Sequence, residues 1–178
     1  MPSAVAALAI YLYMQLNCGM RAQGKLGEAK SVGCTCLRLR KASRRVSQIY
    51  DRALEPCGLT VTQYGLLGHI AAFDGIGVGA LAARMVMDPT TLTRNLKPLL
   101  EQALVVLVPD RRDRRARRLH LTEDGRRTFA QAKPAWRRAQ LHLERVLGER
   151  DAPALNAVLD RVLARLAEAP VAAPRAAP

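Results

Sequence analysis

Residues 88–125 read DPTTLTRNLKPLLEQALVVLVPDRRDRRARRLHLTEDG. Asp88 is a good N-cap residue, and Pro89 suits the first helical position, where a missing N–H needs no partner. The apolar residues that follow recur at spacings of four, three and four: Leu92, Leu96, Leu99 and Ala103. This spacing predicts a helix that begins at Pro89 and buries one apolar stripe.

The opposite side of this predicted helix is small, polar and basic, and consists of Thr90, Thr93, Arg94 and Lys97. Hydroxyl and guanidinium groups reach base edges and phosphates, and short side chains let a helix approach DNA closely. Pro98 removes a backbone donor and predicts a bend near the end of the helix, unless the helix stops there. The stripe continues to Ala103, which favours the bend.

A two-stranded hairpin with a basic loop is predicted next. Residues 105–108 are rich in β-branched side chains, and Leu119 and Leu121 alternate with Arg118 and His120, as in a half-buried strand. The nine residues from 110 to 118 hold six arginines and two aspartates, a net charge of +4.

Guanidinium groups at such a loop tip can enter a narrow minor groove and hydrogen-bond phosphates in pairs. The alternative is a solvated charge run, since the whole chain favours arginine, with 23 Arg against 5 Lys. That bias does not explain the clustering beside the helix. We therefore predict DNA contacts by Arg112, Arg114 and Arg115.

Composition agrees with a polyanionic partner. The net charge is +13 and the isoelectric point about 10.6, which favours nucleic acid. A membrane surface is the competing partner, but the positive charge lies in a loop rather than along an amphipathic helix. The sequence holds no nucleophile elbow, phosphate-binding glycine loop or carboxylate cluster, so we predict neither an enzyme nor a cofactor.

The ends of the chain are expected to be peripheral. Residues 1–33 are predicted to be an N-terminal extension without a signal peptide, because no basic residue precedes the apolar stretch at 4–16. A start codon assigned too early is the alternative, with Met20 as an internal candidate. The Ala- and Pro-rich residues 169–178 are predicted to be disordered, and the protein to be cytoplasmic.

Helical patterns precede the opening stretch. A stripe that ends before Pro56 is formed by Leu39, Ala42, Val46, Ile49, Tyr50 and Ala53. Thr60 and Gln63 form a capping box that begins a helix extending to about Phe73. Residues 74–77 indicate a turn, and residues 78–85 a short helix that packs ahead of the helix at Pro89.

Two long helices are predicted after the hairpin. Thr122 caps the first, whose apolar side comprises Phe129, Ala132, Trp136, Leu143 and Val146 or Leu147. The second carries the stripe Leu155, Val158, Leu159, Val162, Leu163 and Leu166. One chain cannot easily cover so much apolar surface, so we predict that a second copy covers it.

Three segments resemble the MarR family of bacterial winged helix-turn-helix regulators: MDPTTLTRNL at 87–96, PDRRDRR at 109–115 and LHLTEDG at 119–125. The resemblance covers roughly residues 35–168. It implies a mainly α fold with a small β-hairpin wing, in which a winged helix-turn-helix core at about 59–125 is flanked by dimerisation helices at about 35–55 and 122–168. These would form a single domain, residues 34–168.

In this family the helix from Thr90 to Lys97 would be the recognition helix, and Arg115 would be the wing-tip arginine that enters the minor groove. The resemblance also implies a homodimer on a palindromic operator and regulation by small ligands or oxidants. Some relatives sense peroxides through a cysteine near the start of the first helix, where Cys34 and Cys36 lie. The alternative is that these two are ordinary small buried residues.

Family members bind aromatic or phenolic acids between the dimerisation helices and the DNA-binding core. The side chains that could contribute here are Tyr50, Tyr64, His69 and Trp136, and the alternative for each is simple core packing. The Cys-Thr-Cys spacing at 34–36 fits neither a zinc ribbon nor a redox dithiol, and the histidines are scattered, so no metal site is predicted.

The sequence thus predicts a dimeric, sequence-specific DNA-binding regulator that acts as a repressor. A non-specific nucleoid-type protein without an effector would use the same basic wing without a reading surface on the helix. A winged-helix module that binds another protein is the third possibility. Competition by random DNA separates the first two, and an acidic protein partner would support the third.

Overall fold

The computed structural model describes residues 34–110, 113 and 116–168. The predictions for residues 1–33, for the tail 169–178 and for Arg112, Arg114 and Arg115 lie outside these residues. The described helices are α1 (Thr35–Leu54), α2 (Val61–Ala72), α3 (Val78–Arg84), α4 (Pro89–Glu101), α5 (Glu123–Leu147) and α6 (Asp151–Glu168), with a 3-10 turn at Glu55–Cys57. The chain divides into two compact units after Arg38, and the described residues of the first unit, 34–38, form only the start of α1.

A small antiparallel sheet contains β1 (Ile76–Gly77), β2 (Val105–Pro109) and β3 (Arg117–Leu121) in the order β1-β3-β2. The predicted hairpin of β2 and β3 is confirmed, with Val105 opposite Leu121 and Leu107 opposite Leu119. The prediction that residues 74–77 are only a turn was wrong, because Ile76 pairs with Leu119 as a third strand. Two residues are too few to give an alternating pattern.

The core of the described chain lies where α2, α3 and α4 pack against this sheet. Its largest fully buried side chains include Leu66 and Leu67 of α2, Leu81 of α3 and Leu92 and Leu99 of α4. The leucine stripe of α4 is therefore confirmed as far as Leu99. This packing holds α3 and α4 together as a helix-turn-helix pair with β2 and β3 as its wing.

Helix α4 runs through Pro98 and ends at Glu101, so the alternative of a helix that stops at the proline was wrong. Ala103 does not belong to the helical stripe. It is exposed and has a φ of 51°, while the next residue, Leu104, is buried. The chain reverses at Ala103 because it must enter β2, and this turn takes the alanine away from the core.

Helices α2 and α5 begin as predicted. Thr60 and Gln63 form the capping box of α2, and the Thr122 hydroxyl accepts a hydrogen bond from the backbone N–H of Gly125 at the start of α5. Phe129, Ala132, Trp136 and Leu143 of α5 pack on the core, whereas Val146 is exposed. Leu147, the other residue predicted for this end of the apolar side, is half-buried.

The first and last helices, which lie within the predicted dimerisation segments, leave apolar side chains exposed in the single chain. These are Leu39 on α1 and Leu155, Val158, Val162, Leu163 and Leu166 on α6. In the second half of α1, by contrast, Val46, Ile49 and Ala53 pack against the core and Tyr50 is buried. Within the described part of the chain, no helix is long and apolar enough to cross a membrane.

Candidate nucleic-acid interface

The start of α4 is held by one carboxylate. The backbone N–H of Thr91 donates to Asp88 Oδ1 at 2.9 Å, and the Thr91 hydroxyl donates to Asp88 Oδ2 at 2.6 Å. The hydrogen bond from the Thr91 side chain, followed by that from its backbone, lowers the pKa of Asp88. The cap is therefore ionised at neutral pH and stabilises the first turn of α4.

The four residues predicted to read DNA share one exposed surface of α4. Thr90, Thr93, Arg94 and Lys97, here called the reading face, are all exposed. Together with Pro89 they line a shallow, open depression. Lys97 lies 3.7 Å from Glu101 in an exposed ion pair, an interaction weak enough to exchange for a phosphate contact.

The wing is tied at its base to the turn before β1. Arg118 of β3 forms an ion pair with Asp110, and its Nη1 donates to the Gly75 carbonyl at 3.2 Å. His120 Nδ1 lies 3.0 Å from Asp74 Oδ1. No local pattern in the sequence predicts the pairing of His120 with Asp74, because the two residues are 46 positions apart.

Arg117 is exposed beside Arg118 at the described base of the wing. The run of basic residues therefore extends onto β3, which pairs with β2, the strand that follows α4 in the chain. Such an arrangement, a polar and basic helix surface with a cationic hairpin, matches what groove and backbone contacts to DNA require.

Three of the four predicted effector residues meet in one aromatic cluster. Tyr64 stacks on Trp136 with ring centroids 5.8 Å apart, and Tyr50 lies 6.4 Å from Trp136. Phe129, which was not among the predicted residues, lies 4.9 Å from Tyr64. His69 is not part of these ring contacts, and its Nδ1 lies 2.9 Å from the Gly65 carbonyl of its own helix.

Burial raises the pKa of both tyrosines in this cluster, and the Glu144 carboxylate adds to the effect on Tyr50. The Tyr50 hydroxyl donates to Gln140 Oε1, and Gln140 Nε2 donates to Glu144 at 2.8 Å. The rings thus join α2 of the DNA-binding core to α5, and the chain of polar side chains joins α1 to α5.

Cys34 and Cys36 lie at the start of α1, where both are exposed and free of disulfide bonds. The alternative that they are small buried residues was therefore wrong for this chain. Cys57 is half-buried and free. Among the described residues, no group of His, Cys, Asp and Glu could hold a metal ion.

Proteins similar to this chain have the same combination of helix-turn-helix and wing. A MarR family model matches residues 58–116, which span α2 to the wing. The chain is 37% identical to the Mycobacterium tuberculosis transcriptional regulator MosR, solved in complex with DNA, with a TM-score of 0.67; the match covers 76% of this chain and 97% of that one. The transcriptional repressor CouR, bound to a 23-mer DNA duplex, is 26% identical, with a TM-score of 0.70 over 80% of this chain and 99% of its own.

Among curated proteins, the transcriptional activatory protein BadR of Rhodopseudomonas palustris is 32% identical over 95 residues, or 52% of this chain. The match spans about half of that relative, 54% of its length. These similar proteins are all described as transcriptional regulators, and none of them as an enzyme.

Proposed function

Because the chain belongs to the MarR family of transcriptional regulators, we propose that it is a sequence-specific DNA-binding regulator that represses transcription. The observation that carries the proposal is the exposed reading face of α4 beside the arginine-rich wing. A capped helix with hydroxyls and cations on one surface supplies base contacts, and the wing supplies backbone contacts. The DNA complexes of MosR and CouR support this use of the fold, and the repressor CouR supports repression.

The protein binds as a homodimer on a palindromic operator in the cytoplasm. Exposed leucines of α1 and α6 supply the apolar surface that a second copy covers. A two-fold dimer presents two α4 helices to half-sites about one helical turn apart. Residues 34–168 then act as one regulatory domain, in which Arg112, Arg114 and Arg115 contact the DNA backbone and Arg115 enters the minor groove.

Two parts of the same domain support regulation by a small aromatic effector or by an oxidant. The cluster of Tyr50, Tyr64 and Trp136 joins α5 to the DNA-binding core. A ligand that separates these rings would therefore shift α4 relative to α4 of the partner subunit. Cys34 and Cys36 are exposed, as a thiol that meets an oxidant must be.

Arg94 provides the sharpest test of sequence-specific binding. Wild-type protein is first used to select its preferred site from random duplexes. Arg94→Ala should then weaken binding to that site by about 1–3 kcal/mol, as expected for a bidentate base contact, and should change binding to random DNA much less. Arg137→Ala, which removes an exposed arginine of α5, is the control and should leave both affinities unchanged.

Two results would contradict the proposal. If no duplex is enriched in the selection, the protein is a non-specific DNA-binding protein. If Arg94→Ala weakens binding to both DNAs equally, Arg94 contacts a phosphate and the reading face is assigned wrongly. A reporter gene placed downstream of the selected site shows whether the protein represses or activates transcription, because a repressor lowers expression of the reporter.

A further inference from the structure

The hydroxyl protons of Thr91 and Thr93, near the start of α4, are already used within the helix and its cap. The Thr93 hydroxyl donates to the Pro89 carbonyl at 2.8 Å, and the Thr91 hydroxyl donates to Asp88. A threonine hydroxyl has one proton. Thr93 can therefore offer a base its γ-methyl group and an oxygen lone pair, but it has no proton to donate unless the bond to Pro89 breaks.

The surroundings of Thr93 favour the methyl group over the lone pair. The shallow depression on the reading face is lined by Pro89, Thr90, Thr93, Arg94 and Lys97. Pro89, Thr90 and Thr93 bring a ring and two methyl groups to this depression, and Arg94 and Lys97 bring two cations. None of these five lining residues is acidic, so the depression suits a small apolar group carried by a polyanion.

Thymine is the base that presents such a group. Its 5-methyl lies in the major groove, whereas guanine presents only acceptors at the same edge. We propose that Thr93 recognises a thymine in each half-site through contact between the γ-methyl and the thymine 5-methyl, with Pro89 and Thr90 completing the apolar pocket. This inference rests on the proposed function and adds the identity of one base to it.

The test separates the two parts of the Thr93 side chain. Thr93→Val keeps the γ-methyl and removes the hydroxyl, whereas Thr93→Ser keeps the hydroxyl and removes the methyl. On the DNA side, each thymine of the selected site is replaced in turn by deoxyuridine, which removes only the 5-methyl group. Thermal melting of each variant shows whether the fold is retained, as expected for an exposed position.

One symmetrical pair of thymines, one in each half-site, should be sensitive to loss of the 5-methyl group. Replacing them by deoxyuridine should weaken wild-type binding about fourfold per half-site, the factor that corresponds to one buried methyl group. Thr93→Val should bind within about twofold of wild type and keep this sensitivity. Thr93→Ser should lose a similar factor on the thymine site and should no longer distinguish thymine from deoxyuridine there.

The opposite pattern would overturn the inference. If Thr93→Val loses affinity while Thr93→Ser retains it, the oxygen accepts a hydrogen bond from an amino group of adenine or cytosine. Equal binding by both variants would also refute the methyl contact, as would a deoxyuridine effect that persists in Thr93→Ser. Neither result would contradict sequence-specific binding itself. Failure of the selection itself would instead refute the proposed function.

Discussion

Val86 is the residue at which the helix-turn-helix turn is most strained. It follows the C-cap of α3, has a φ of 50° and is 80% exposed. Glycine is common at this position of a helix end because a β-branched side chain crowds the backbone at positive φ. The turn persists because Leu81 before it and Leu92 after it are fully buried, and because Met87 donates a backbone hydrogen bond to Ala82 at 2.9 Å.

Relief of this strain should stabilise the protein. Val86→Gly removes a cost of about 1–2 kcal/mol for the left-handed conformation and adds up to about 1 kcal/mol of backbone entropy. The net gain in the free energy of unfolding, measured with urea, should be about 0.5–1 kcal/mol. Val86→Asn should change it in the same direction, since asparagine tolerates positive φ. A loss of stability in both variants would mean that the valine side chain makes a contact that matters.

At the level of elements, the junction between the wing and α5 depends on one close approach. A Cβ on Gly125 would lie 1.9 Å from the Leu104 carbonyl oxygen. Thr122 completes the junction, because its backbone N–H donates to Leu104 O at 3.1 Å and its hydroxyl donates to Ala103 O at 2.7 Å. The end of α4, the start of β2 and the start of α5 therefore move together, which couples the DNA-binding core to the flanking helix.

Gly125→Ala should break this junction. The added methyl meets backbone rather than a flexible side chain, so we expect a loss of about 3 kcal/mol in the free energy of unfolding, at the upper end for overpacking. Gly79→Ala is the matched control, because a Cβ there has no atom within 4 Å. In α3 this control should gain up to about 1 kcal/mol from helix propensity. Similar urea midpoints for the two variants would show that the junction adapts without cost.

At the level of the whole molecule, the exposed apolar surface implies an assembly larger than one chain. Leu163 and Leu166 of α6 are 54% and 64% exposed, and Leu39 of α1 is also exposed. Burial of apolar surface contributes about 25 cal/mol per Å², so covering these side chains with a second copy stabilises a dimer. The same assembly places two reading faces on one DNA duplex, and the affinity of the pair exceeds that of either half.

Charged residues at this surface should separate the chains. Leu163→Glu combined with Leu166→Glu should convert a dimer into folded monomers in light scattering, because both side chains are exposed in the single chain. Binding to the selected palindrome should fall with the dimer, since one reading face contacts one half-site. Ala71→Glu, at an exposed position of α2 outside the dimerisation helices, is the control and should remain dimeric. A wild-type monomer that binds a single half-site tightly would contradict this prediction.

Local signals in the sequence were sufficient for the helices, for the β2–β3 hairpin and for the exposed side of α4. The caps at Thr60, Asp88 and Thr122 act within three residues of their own helix starts, and the leucine stripe of α4 follows from helical spacing alone. For the same reason the exposed side of α4 could be predicted residue by residue. Side-chain hydrogen bonds and amphipathic periodicity are properties of a few neighbouring residues, which a sequence displays directly.

Contacts between distant residues were decided only by the tertiary structure. Strand β1 exists because Ile76 meets Leu119, Ala103 leaves the stripe because the chain must turn into β2, and Asp74 finds His120 across 46 residues. Likewise, only the structure shows that the Thr93 hydroxyl donates its proton to the Pro89 carbonyl. These features depend on how packed elements meet in space, and periodicity along the chain carries no information about that.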